Sequence, residues 1–61
     1  MHAPTLFERV RGEFNEMPGL QLTIAQASRL WNTDASVGRQ ALEALVDRAF
    51  LRRDGSLYVR A

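Results

Sequence analysis

The 61-residue chain has no cysteine and no lysine, and its net charge is only +1. Without cysteine there is no disulfide framework and no thiolate metal site, so stability must come from packing. The near-balance of charge does not require a polyanionic partner. No apolar run approaches the roughly 18 residues that cross a bilayer, so no membrane partner is expected. The opening Met1-His2-Ala3-Pro4 lacks the basic and apolar regions of a signal peptide, and a cytoplasmic location is expected by default. Catalytic constellations are missing as well. His2 has no partner histidine or cysteine, and Glu8, Glu13 and Glu16 all fall on one expected helix. There is no Ser/His/Asp set and no glycine loop to cradle phosphate, and so small a core is not expected to offer a ligand-sized pocket. No enzyme activity, cofactor, metal or small-molecule ligand is therefore expected.

What is present has the proportions of an ordinary globular domain: 46% hydrophobic and 25% charged residues. A single domain over residues 1–61 is expected. All eight basic residues are arginine. Codon usage in a GC-rich genome accounts for that most simply, while guanidinium also suits phosphate and guanine recognition. Composition does not separate the two.

Thr5 and Glu8 stand three residues apart, the spacing of a capping box, and Leu6, Phe7, Val10 and Phe14 follow at helical intervals. This first helix should end near Met17, ahead of Pro18-Gly19. Leu20-Gln21-Leu22 alternates and suits a very short strand or an extended linker. Thr23 and Gln26 form a second capping box, opening a short helix with Ile24, Ala27, Leu30 and Trp31 on its apolar stripe. After the turn Asn32-Thr33-Asp34, in which Asp34 or Thr33 can cap, a third helix is expected over residues 35–48. Its apolar side carries Gly38, Leu42, Leu45, Val46 and Ala49, and its polar side carries Ser36, Arg39, Gln40, Glu43 and Asp47. Glycine in mid-helix costs about 1 kcal/mol relative to alanine, so Gly38 is read as a close approach between the second and third helices. Phe50-Leu51-Arg52-Arg53 and Ser56-Leu57-Tyr58-Val59-Arg60 read as two strands joined by an Asp54-Gly55 type I′ turn. That register sets Arg53 opposite Ser56 and Leu51 opposite Tyr58.

Helix, short turn, helix is the order of a helix-turn-helix pair, whose second helix can enter the major groove with its amino-terminal half against base edges. Here that half offers Ser36, Arg39 and Gln40. Arginine pairs bidentately with guanine and glutamine with adenine. The hairpin would lie along the flanking backbone, with Arg52, Arg53 and Arg60 meeting phosphates or the minor groove. Tyr58 is expected half-buried against Leu51, its hydroxyl free to meet a phosphate. The residues expected to face double-stranded DNA are Ser36, Arg39, Gln40, Glu43, Arg52, Arg53, Tyr58 and Arg60. Trp31 is expected to pack over the first helix or to lie partly exposed beside the turn.

From these residues onward a resemblance applies. Residues 20–60 resemble the winged helix-turn-helix domains of bacterial transcription regulators. Leu22-Thr23-Ile24-Ala25-Gln26-Ala27-Ser28-Arg29-Leu30-Trp31 is similar to the first helix of their pair. Ala41-Leu42-Glu43-Ala44-Leu45-Val46-Asp47-Arg48-Ala49-Phe50-Leu51-Arg52-Arg53 is similar to the end of their recognition helix and the first wing strand. Asp54-Gly55-Ser56-Leu57-Tyr58-Val59-Arg60 looks like the wing of GntR-type domains, and MarR-type regulators share part of the pattern. The resemblance implies an α+β fold, a small winged helix-turn-helix of three helices followed by a C-terminal β-hairpin wing, that binds DNA in transcription regulation. Ala49 stands where these families usually carry glycine, so a less sharp corner is expected there. A homodimer reading two half-sites is a further expectation, with Phe7, Val10, Phe14 and Met17 of the first helix as its apolar edge. The alternative is a winged helix that binds protein rather than DNA. The acidic residues of the third helix and the low net charge favour that reading.

Overall fold

The computed structural model describes residues 5–61, so the readings of His2 and of the first four residues lie outside the described residues. The Thr5 hydroxyl accepts from the Glu8 amide at 3.2 Å while the Glu8 carboxylate accepts from the Thr5 amide at 3.1 Å. The same reciprocal pair joins Thr23 and Gln26, at 3.1 and 2.9 Å. Two orphan amides are thus satisfied at the start of each helix. The Thr5 contacts hold the Glu8 carboxyl below its ordinary pKa. The helices that follow are α1, Leu6–Glu16, and α2, Ile24–Leu30. The third, α3, spans Ala35–Asp47 with Asp34 at its N-cap position, where the Asp34 side chain makes no capping hydrogen bond.

Two helices end in the same way. Thr33 N–H donates to Ser28 O and Asn32 N–H to Arg29 O, at 2.9 and 3.3 Å. Phe50 N–H donates to Leu45 O and Ala49 N–H to Val46 O, at 3.0 and 2.9 Å. This is the Schellman arrangement, and it needs a left-handed residue just past the helix. Asn32 takes it with φ +49° and Ala49 with φ +59°. The corner after α3 is therefore as tight as a glycine would make it, against the expectation of a blunter bend. A Cβ in that conformation costs roughly 1 kcal/mol or more, which the native contacts around the corner must offset.

Three strands complete the fold: β1 Gln21–Leu22, β2 Leu51–Asp54 and β3 Leu57–Arg60. They form one antiparallel sheet in the order β1-β3-β2. Of the Leu20-Gln21-Leu22 segment the last two residues are thus a strand, with Leu22 opposite Tyr58. The hairpin register differs from the Asp54-Gly55 expectation. Asp54 pairs with Leu57 and Arg53 with Tyr58, which leaves Gly55-Ser56 as the loop. Gly55 has φ +64° and is the one loop residue in the left-handed region. A positive φ at the first central position alone is the type II′ pattern, whereas type I′ needs it at both. The partner slides by two residues, so each side chain keeps its face of the sheet.

α3 packs against α1, α2 and β2, and the core gathers around it. Phe14, Val10, Leu42, Leu45 and Leu51 are the most completely buried large side chains, joined by Trp31, Leu22 and Tyr58. Trp31 is therefore a core residue rather than a partly exposed one. Gly38 is buried, and a Cβ on it would stand 3.1 Å from Ser28 Oγ of α2. The close helix approach inferred from its mid-helix place is present. Val10 and Phe14 are fully buried, so α1 does not offer them to a second copy. Of that proposed edge Met17 is exposed, and the other exposed large apolar residues are Leu30 at the end of α2 and Val37 in α3.

Candidate nucleic-acid interface

The amino-terminal half of α3 turns Ser36, Arg39 and Gln40 to solvent. None of the three makes a hydrogen bond or ion pair with the described residues. Helical spacing sets Ser36, Arg39 and Gln40 on one face, three and four residues apart. Two long side chains with complete donor sets are thus exposed together on this half of α3.

One turn further on, Glu43 behaves differently. It is half-buried, and its carboxylate accepts the hydroxyl hydrogen of Tyr58 in a short hydrogen bond. Tyr58 is only 4% exposed. Its hydroxyl is therefore committed to Glu43 and is not free to meet a phosphate. Burial first, and then the Glu43 hydrogen bond and charge, push the Tyr58 pKa above its ordinary value, partly offset by the nearby guanidinium groups of Arg53 and Arg39. Arg53 Nη1 also lies 3.7 Å from Glu43 Oε2. Glu43 therefore clamps α3 to the hairpin, its single carboxylate serving β2 through Arg53 and β3 through Tyr58. The register explains how: Arg53 and Tyr58 are cross-strand partners on the face that looks toward α3.

The hairpin arginines divide. Arg53 is exposed on the α3 side. Arg52, one residue earlier, points to the opposite face of the sheet, opposite Val59, and makes no ion pair or hydrogen bond with the described residues. Arg60 is not a free phosphate ligand. Its Nη1 donates to Phe50 O at 2.9 Å and its guanidinium lies 3.9 Å from the centre of the Phe50 ring. The eight predicted residues thus form three groups: Ser36, Arg39 and Gln40 outward on α3, Glu43, Tyr58 and Arg53 knitted together between α3 and the hairpin, and Arg52 and Arg60 elsewhere.

Between α3 and the β2–β3 hairpin lies an open cleft of about 400 Å³, lined by Arg39, Arg53, Tyr58 and Ser56 together with Thr23 and Ile24. Sequence reading missed Thr23 and Ser56 as part of this surface. The signal was the pairing of Leu22 with Tyr58, which draws the start of α2 alongside the hairpin, and a two-residue strand is too short to announce a partner. A second cleft of about 390 Å³ lies elsewhere, lined by Phe7, Arg11, Leu45, Arg48 and Phe50. Both are of ligand size, so the argument from a small core does not extend to the surface.

Among the described residues no group of three or more histidine, cysteine, aspartate or glutamate side chains could hold a metal ion. No helix among them is long and apolar enough to cross a membrane. No protein family, characterised protein or solved structure matches the chain in sequence or fold comparisons.

Proposed function

We propose that the protein is a winged helix-turn-helix module that binds duplex DNA, as in a transcription regulator, with α3 in the major groove and the β2–β3 hairpin as the wing. The observation that carries this reading is the outward face of α3, where Arg39 and Gln40 stand unpaired beside a cleft whose far wall bears Arg53. Arg39 and Gln40 have the donor and acceptor sets that read guanine and adenine edges. Arg53 and, from the other face of the wing, Arg52 supply phosphate contacts that fix orientation. Ser36 sits at the helix start, where backbone phosphate approaches a recognition helix. Glu43 and Tyr58 act as a brace between helix and wing rather than as contacts. A single module of this size buries about 600–1,000 Å² on DNA, which favours a dimer over two half-sites.

A titration of mixed-sequence duplex at low salt, followed by amide chemical shifts, tests the proposal. Shifts should concentrate in residues 36–43 and 52–56, and Arg39→Ala should weaken a specific site by about 1–3 kcal/mol. No shift at any duplex concentration would overturn it. Exposed Leu30 (54%) and Val37 (41%), at the elbow between α2 and α3, favour a second reading, a protein-docking winged helix. In that case DNA leaves the spectrum unchanged and substitution of Leu30 and Val37 by serine abolishes partner binding.

A further inference from the structure

The second cleft has a construction unlike the first. Phe7 and Arg11 lie one turn apart on α1, and Arg48 and Phe50 flank the corner after α3. The pairs are crossed. Arg48 of the corner lies 4.6 Å from the centre of the Phe7 ring, and Arg11 of α1 lies 5.6 Å from that of Phe50. Arg60 covers Phe50 at 3.9 Å. No carboxylate among the described residues pairs with any of these three guanidinium groups. Leu45, almost fully buried, closes the floor.

Guanidinium stacked on a ring is held in place by its flat face, so its N–H edge stays available to an anion. A carboxylate or phosphate accepts two such N–H groups at once. The volume of about 390 Å³ lies within the range of small-ligand sites, and Phe7, Phe50 and Leu45 make its walls and floor apolar. We infer that this cleft binds a small organic anion, a carboxylate or phosphate ester on a flat apolar body. The acid group is held by Arg11 and Arg48, and the body lies against Phe7, Phe50 and Leu45. The site stands apart from the DNA-binding proposal, since its lining shares no residue with the α3–wing cleft.

The test is an amide-shift titration of the full chain at low salt with benzoate and, separately, phenyl phosphate, with inorganic phosphate as the ring-free control. Saturable shifts confined to Phe7, Arg11, Leu45, Arg48 and Phe50 are expected with at least one aromatic anion, and the tighter of the two identifies the acid group. Arg11→Gln and Arg48→Gln should each weaken that binding about fivefold, the usual worth of one charged contact. Both side chains are exposed, and a dispersed amide spectrum confirms that each variant is folded. Inorganic phosphate should bind at least about fivefold more weakly, for lack of the apolar contact. The proposal is overturned by shifts that do not saturate, by equal binding of inorganic phosphate, or by affinity that survives both substitutions. It is also overturned if duplex DNA moves these five amides more than it moves residues 36–43.

Discussion

On the hairpin side of α3 the guanidinium of Arg53 faces a carboxylate, Glu43, which also accepts a hydrogen bond from the Tyr58 hydroxyl. On the corner side the guanidinium groups of Arg11, Arg48 and Arg60 face phenylalanine rings instead. The first arrangement offsets positive charge and joins elements through polar atoms. The second keeps all its charge and joins elements through apolar area. In one small protein the same residue type thus serves two different kinds of contact, and what stands opposite decides how much positive potential reaches solvent.

The largest test of this contrast removes a ring. Phe50→Ala strips the surface under Arg60 and Arg11 and exposes Leu45, and should cost about 2–3 kcal/mol, less than a fully buried phenylalanine because Phe50 is only half-buried. A loss under 1 kcal/mol in urea unfolding would mean that the corner side is not held by apolar area. At the same corner Ala49→Gly should gain about 1 kcal/mol, because glycine accepts φ near +59° without strain and alanine does not. A lower thermal midpoint for that variant would show the corner to be unstrained.

On the hairpin side Tyr58→Phe should cost about 1 kcal/mol, since it deletes one hydrogen bond and leaves the ring in place. The folded-state pKa of Tyr58 is raised, so its contribution is complete below the ordinary value near 10 and is lost as pH climbs through the folded value. Tyr58 is the only tyrosine, so ultraviolet absorbance of the phenolate follows this titration directly. A midpoint at or below that of free tyrosine would count against the buried hydroxyl. The smallest expected effect on stability comes from Glu43→Gln, a few tenths of a kcal/mol, because the amide oxygen can still accept from the Tyr58 hydroxyl and the lost partner, Arg53, is 60% exposed. If the proposed DNA binding holds, its effect on DNA affinity should be larger. Freeing Arg53 should raise non-specific affinity and steepen its salt dependence by up to about one phosphate contact. An unchanged slope would mean that Glu43 does not restrain Arg53.

How much of this was legible beforehand depended on range. The two capping boxes and the three helices rest on residues three or four apart, and they stand where the spacing puts them. Gly38 was legible because a helix tolerates an interior glycine for few reasons other than close approach. The hairpin was legible in kind but not in register. Asp-Gly signals a turn without saying whether glycine stands first or second in the loop, and because the two registers differ by two residues the alternation of apolar and polar side chains is the same in both. The partners of Tyr58 and Arg60 lie fifteen and ten residues away, across packing surfaces that no local pattern encodes. Those two side chains were accordingly misread as free.

The strand order has a consequence for how the chain comes into being. Within the sheet β1 and β2 pair only with β3, which is the last of the three in sequence. Both outer strands therefore leave a ribosome ahead of the strand that joins them, and the sheet cannot begin until residues 57–60 have left the exit tunnel. The hairpin, and with it the clamp between Glu43 and Tyr58, likewise waits for β3.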